Sequence, residues 1–105
     1  MNGSEPENPD VEFLFAWDQP KAALNLKKHG ISFDEAATVF PDPLARIEHD
    51  PDHSRGEERE LILGQSARKR LLVVSFVQRG QTIRIISARP ATRSERHAYR
   101  EKAHR

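Results

Sequence analysis

The stretch "TIRIISARPATRSERHAYR", residues 82–100, holds Arg84 and Arg89 in and at the end of an apolar run. It follows them with Arg93, Arg96, His97 and Arg100. Guanidinium groups in such number suit phosphate, because each planar fork donates two hydrogen bonds at once. Strict alternation along the run puts Ile83, Ile85 and Ser87 on one face and Arg84, Ile86 and Ala88 on the other. Ile83 and Ile85 read as core, so Arg84 reads as standing on the open face. A surface arginine paired with a cross-strand glutamate is the plainer reading of the same residue. Beyond Pro90, Arg93, Arg96, His97 and Arg100 recur at i, i+3, i+4 and i+7 and share one helix face. That face suits water, an acidic partner or nucleic acid. Aromatic interleaving for base stacking is thin, with Tyr99 the nearby candidate.

Other chemistries find less support. The loop "EHDPDH" offers Glu48, His49, Asp50, Asp52 and His53 as metal ligands, but the spacing fits no strong template and an acidic turn with prolines accounts for it. There is no cysteine, which removes thiolate nucleophiles and disulfides. Neither a glycine-rich phosphate loop nor a Ser-His-Asp motif context is legible. No metal and no cofactor are expected.

A chain of 105 residues is one domain by length, and 36% apolar with 31% charged residues describes a polar but foldable sequence. The net charge of +1 hides a segregation: residues 1–20 carry five acids and no Lys or Arg, while residues 79–105 carry seven Arg and one Lys against Glu95 and Glu101. A basic C-terminal quarter can present a positive face on a balanced chain. The acidic start is unlike a signal peptide, and no apolar run is long enough to cross a bilayer, so a cytoplasmic location is expected.

The elements that must position these residues follow from local patterns. Residues 1–10 read as a flexible leader and residues 11–105 as one domain. "VEFLFAWD" alternates as a strand, with Phe13, Phe15 and Trp17 on one face. Asp18 caps a helix over "QPKAALNLKKH" that ends at Gly30, with Lys27, Lys28 and His29 in its last turn. Ser32 and Glu35 have capping-box spacing at the start of a second helix, "ISFDEAATVF", which Pro41 and Pro43 stop. "LARIEH" reads as an extended segment. "ERELILG", "RLLVVSFVQ" and "TIRIISA" read as three antiparallel strands at hairpin spacing. Thr92 and Glu95 form a second capping box before a last helix. The expected fold is α+β: an antiparallel β-sheet with two N-terminal helices and one C-terminal helix.

Three blocks in order, "FAWDQPKAALNLKKHGISFDEAATVF", "DPDHSRGEERELILGQS" and "IRIISARPATRSERHAYR", resemble the BrnT family. These are ribonuclease toxins of the BrnT–BrnA type II toxin–antitoxin systems of bacteria. The resemblance runs from about Phe13 to Tyr99. It implies a compact fold similar to RelE-type toxins, with a sheet open on one face. It further implies a BrnA-like ribbon-helix-helix antitoxin, through which the complex would bind its promoter DNA. A non-catalytic partner that only completes such an autorepressing complex is the alternative, and direct DNA binding through the last helix a weaker one.

Metal-independent RNA cleavage needs a base for the 2′-hydroxyl, cations for the phosphorane and an acid for the leaving oxygen. In the light of the resemblance, Arg59, Arg84 and Arg89 are assigned to phosphate. Glu58 or His29 stands as the base, and Lys28 or Tyr99 assists. Each has a structural reading beside it: Lys28 and His29 capping a helix end, Glu58 pairing an arginine, Tyr99 packing on the sheet. Arg93, Arg96 and Arg100 are assigned to RNA or to the antitoxin. Trp17 reads as a core seal, and Asn25 as either a structural hydrogen-bonding group or a site residue.

Overall fold

The computed structural model describes residues 13–51 and 58–103. Its strands are β1 (Leu14–Ala16), β2 (Arg46–His49), β3 (Glu60–Gln65), β4 (Leu71–Arg79) and β5 (Thr82–Pro90). Its helices are α1 (Gln19–His29), α2 (Phe33–Ala37) and α3 (Arg93–Ala103). The strands form one sheet in the order β1-β5-β4-β3-β2. The expected leader, residues 1–10, and the metal-loop residues Asp52 and His53 lie outside the described residues.

The α+β architecture stands, but the sheet is mixed rather than antiparallel. β3 to β5 form the expected antiparallel meander, and the extended segment joins it as β2, antiparallel to β3, whereas β1 pairs parallel to β5, Leu14 against Thr82 through Ala16 against Arg84. Hairpin spacing governs only strands joined by short loops. β1 reaches β5 through all the intervening chain, and a long connection permits the parallel sense.

The caps of α1 form as expected: Asp18 accepts from the Lys21 N–H at 3.0 Å, and Gly30 takes the left-handed conformation, φ 72°. α2 is shorter than its pattern. It ends at Ala37, and the Thr38 hydroxyl donates to the Glu35 carbonyl at 2.6 Å while accepting from the Ala67 N–H at 2.8 Å. Only half of the first capping box is made. Ser32 accepts from the Glu35 N–H at 3.0 Å, but the Glu35 carboxylate turns away to Ser66 (2.7 Å) and to Arg70 Nε (3.0 Å). The Arg70 guanidinium holds this buried carboxyl below the usual range, overcoming the opposing effect of burial. The network ties α2 to the β3–β4 hairpin.

α1 and α2 cover the inner face of the sheet, where Phe33, Ala36 and Val39 meet Ile62, Val74, Phe76, Ile83 and Ile85. β5 then breaks its alternation. Phe76 lies opposite Ile85 and Ser75 opposite Ser87, so Ile86 is an extra residue. The bulge moves Ala88, instead of Ser87, onto the inner face, where it is fully buried. It also brings Arg89 onto the outer face with Arg84, although an odd spacing would separate them in a regular strand.

Asn25 sits at this irregularity. Its side-chain oxygen accepts from the Ala88 N–H at 3.0 Å, and its amide donates to the carbonyls of Ala88 (2.9 Å) and Ile31 (3.0 Å). β1 has already ended, so a helical side chain takes the place of a neighbouring strand. The reading of Asn25 as a structural hydrogen-bonding group is the one its geometry supports.

α3 lies over the outer face beside β3, and Glu95 and Ala98 line a small cavity there with Leu61, Leu63 and Val73. Its capping box is complete: Thr92 Oγ1 accepts from the Glu95 N–H at 3.2 Å, and Glu95 accepts from the Thr92 N–H at 2.8 Å. Arg89 closes on Glu95 with two bonds of 2.8 and 2.9 Å, locking the end of β5 to the first turn of α3. Chiefly through that pairing, the Glu95 carboxyl is lowered to about 2.

Two outcomes are expected. Asn25→Ala leaves buried backbone groups unpaired and lowers stability to urea by about 2–4 kcal/mol; a loss below about 1 kcal/mol would show that water replaces the amide. Glu95 binds its proton more weakly in the folded chain than in the unfolded one. Its stabilisation is therefore complete above an ordinary carboxyl pKa and disappears as pH falls toward about 2. The difference in melting temperature between parent and Glu95→Gln should shrink over that window, and a gap independent of pH would contradict the assignment.

Candidate nucleic-acid face and groove

The register aligns the outward-facing residues in rows across the strands. One row runs Arg46, Leu63, Val73, Arg89, and the next Glu48, Leu61, Ser75, Ser87. In the third, Val77 lies opposite Arg84, and extending the β3–β4 register by one residue sets Arg59 opposite Val77. Arg59 and Arg84 thus flank Val77 at one end of the face, and Arg89 stands at the other. Arg84 and Arg89 are roughly 13 Å apart along the strand, at about 3.3 Å per residue with one residue absorbed in the bulge. At the middle, Ser75 Oγ lies 3.4 Å from Asp50 Oδ2.

These arginines are not equivalent. Among the described residues, the side chains of Arg59 and Arg84 have no hydrogen-bonding or ionic partner, so the cross-strand glutamate pairing of Arg84 does not occur. Arg89 is committed to Glu95. Its fork is occupied, and the ionised Glu95 largely balances its charge.

Beside Ser87 the face falls into a groove of about 640 Å³ between α1 and β5. Leu24 and Ile86 give it apolar walls, and Lys21, Lys27, Lys28 and His29 surround it with basic groups. The last turn of α1 and the bulge of β5 therefore bring Lys28 and His29 to the edge of the arginine-bearing face. Neither side chain has a partner among the described residues. The sequence does not single out Lys21 or Ser87 as site residues, and it reads Lys27 only as part of a basic helix end. Lys21 precedes Lys28 by seven residues on the same flank of α1, and that helical spacing is the signal that marks it.

Other expected residues go elsewhere. Glu58 is exposed just before β3, on the far side of β4 and β5 from α1. Tyr99 is buried, and its hydroxyl donates to Asp42 at 2.7 Å. Burial and the neighbouring Asp42 push the phenol up to about 12, so the proton stays on the oxygen. Arg96 and Arg100 line a different cavity with Tyr99, and Arg93 is exposed at the start of α3. His97 lies 3.4 Å from Glu101 on the solvent side. Among the described residues no cluster of acids and histidines could hold a metal ion, and no helix is long and apolar enough to cross a membrane.

Comparison with known proteins bears on these same segments. A family model described as the ribonuclease toxin BrnT of type II toxin–antitoxin systems matches residues 17–95. Among solved structures, the Brucella abortus ribonuclease toxin BrnT is similar, with a TM-score of 0.56 and 23% identity over 77% of this chain and 99% of that one. That likeness shows a common fold. No curated protein sequence matches. The family match takes in α1 with its basic end, all of β5 and the Thr92–Glu95 cap, and because it spans most of the chain, this protein belongs to the BrnT family of ribonuclease toxins of type II toxin–antitoxin systems.

Proposed function

We propose that this protein is a metal-independent endoribonuclease that arrests growth by cutting RNA and is silenced by a BrnA-like ribbon-helix-helix antitoxin. The observation that carries the reading is the meeting of Lys28 and His29, without partners among the described residues, with the outer face of β5, on which the bulge has gathered Arg84 and Arg89. RNA would lie across the outer face with its phosphates toward Arg59 and Arg84. A scissile phosphate beside Ser87 faces Lys28 and His29.

Cleavage in this site proceeds by attack of the ribose 2′-oxygen on the adjacent phosphorus, with departure of the 5′-oxygen and formation of a cyclic phosphate. Imidazole can take the 2′-proton at neutral pH, whereas guanidinium cannot. His29 is therefore assigned as base in preference to the distant Glu58. Arg84 stabilises the phosphorane, where preorganised charge is most effective, and the Lys28 ammonium beside it gives a proton to the departing 5′-oxygen. Arg89, its charge largely balanced by Glu95, fixes the end of β5. Tyr99 positions α3. DNA is bound through the antitoxin complex.

Purified protein should cut single-stranded RNA with a chelator present. Lys28→Ala and Arg84→Ala should each lower the rate about 100-fold or more while the fold is retained by circular dichroism. His29→Gln should lower the rate by a similar factor while RNA binding is retained. If folded Lys28→Ala and Arg84→Ala proteins cut as the parent does, the site is elsewhere. If the parent cuts nothing while its antitoxin complex binds promoter DNA, the non-catalytic reading takes over.

A further inference from the structure

The end of β5 leads into a second basic cavity, distinct from the α1 groove. It encloses about 550 Å³ between the β3–β4 hairpin and α3. Lys69, Arg70, Arg96 and Arg100 line it, with Leu71 and Pro90 among its apolar surfaces, and none of its described lining residues is acidic. Arg70 is held by Glu35, so it contributes a fixed guanidinium whose charge is largely balanced. Lys69 and Arg96 add further positive charge beside it. Lys69 is the one described non-glycine residue with a left-handed backbone, φ 66°. Lysine is an uncommon choice where asparagine or glycine would relieve the conformation.

We infer that this cavity is a second RNA subsite, taking one nucleotide of the substrate outside the cleavage groove, with its phosphate on Lys69 and Arg96. The inference rests on the ribonuclease reading above. Its support is continuity and composition. Pro90 lines the cavity and directly follows Arg89, and alternation turns it to the side of Leu72, so a strand leaving the outer face at Arg89 reaches the cavity by rounding the end of β5. Cations beside apolar surface fit a nucleotide, since phosphate takes the charge and an unstacked base lies on the apolar part. The volume is that of an ordinary small-ligand site. A segment rich in carboxylates would use the cations but has no need of the apolar surface.

The test uses the full chain and a fluorescent single-stranded RNA of about ten nucleotides, 2′-O-methylated so that the 2′-oxygen cannot attack. Binding is followed by anisotropy over a salt series. The variant combines Lys69→Asn, which suits the left-handed backbone, with Arg96→Gln. Both residues are exposed, and neither belongs to the cleavage groove. The double variant should bind about tenfold more weakly. Its salt dependence should fall by about 0.7 in slope, the value for one phosphate no longer neutralised on a single strand. An unchanged affinity and slope overturns the subsite. So does unchanged RNA binding accompanied by weaker capture of an acidic peptide, which would make the cavity a protein site. Cleavage of unmodified RNA by the parent separates the two readings: a parent that cuts RNA beside a variant that binds normally removes only the subsite. A parent that neither binds nor cuts removes both.

Discussion

The three hydrogen bonds of the Asn25 side chain hold the candidate surface together. A strand that outruns its neighbour leaves backbone donors and acceptors without partners, and burying them so is costly. Here a helix covers that edge, and one carboxamide supplies both a donor and an acceptor to Ala88. The same contact joins α1 to β5 at the bulge and ties in the carbonyl of Ile31 at the head of α2. Lys28 and His29 follow within about a turn of Asn25 on α1, and Ser87 and Arg89 flank Ala88 on β5. The basic groove is therefore built around a single buried amide.

Much of the fold is legible in the sequence. The Asp18 cap, the Gly30 turn and the Thr92–Glu95 box are local devices, and local chemistry decides them. The Ser32–Glu35 box has the same spacing as the second, but it is only half made. Its carboxylate is drawn to Arg70, which lies 35 residues away in sequence. The parallel pairing of β1 is hidden for a similar reason, since hairpin spacing is silent about a strand and a partner far apart in the chain.

The site is legible in its residue types and less so in its geometry. Alternation puts Arg84 on the face read as open; α3 covers part of that face, but Arg84 stays exposed and without a partner among the described residues. Alternation carried past Ile86 puts Ser87 and Ala88 on the wrong faces, because a period of two cannot anticipate an inserted residue. The sequence marks Arg89 and Glu95 separately, and neither pattern implies that they bind one another. The "QSARK" connection reads as a loop, and nothing in its spacing directs the charge of Lys69 and Arg70 toward a cavity. Loop cations acquire meaning only when the fold shows which helix they face.

The pairing of β1 with β5 has a consequence in time. β1 stands near the beginning of the described residues and its partner near their end, and Asn25 meets Ala88 across 63 residues of sequence. Contacts of such separation form late, because the loops that join them must first be closed. As the chain emerges during synthesis, its earlier strands and helices can take shape while the arginine-bearing edge has no seat. The surface proposed to engage RNA is then assembled last. For a member of a ribonuclease toxin family, that order delays its hazard until β5 and α3 have been made, an interval in which an antitoxin already present can be waiting.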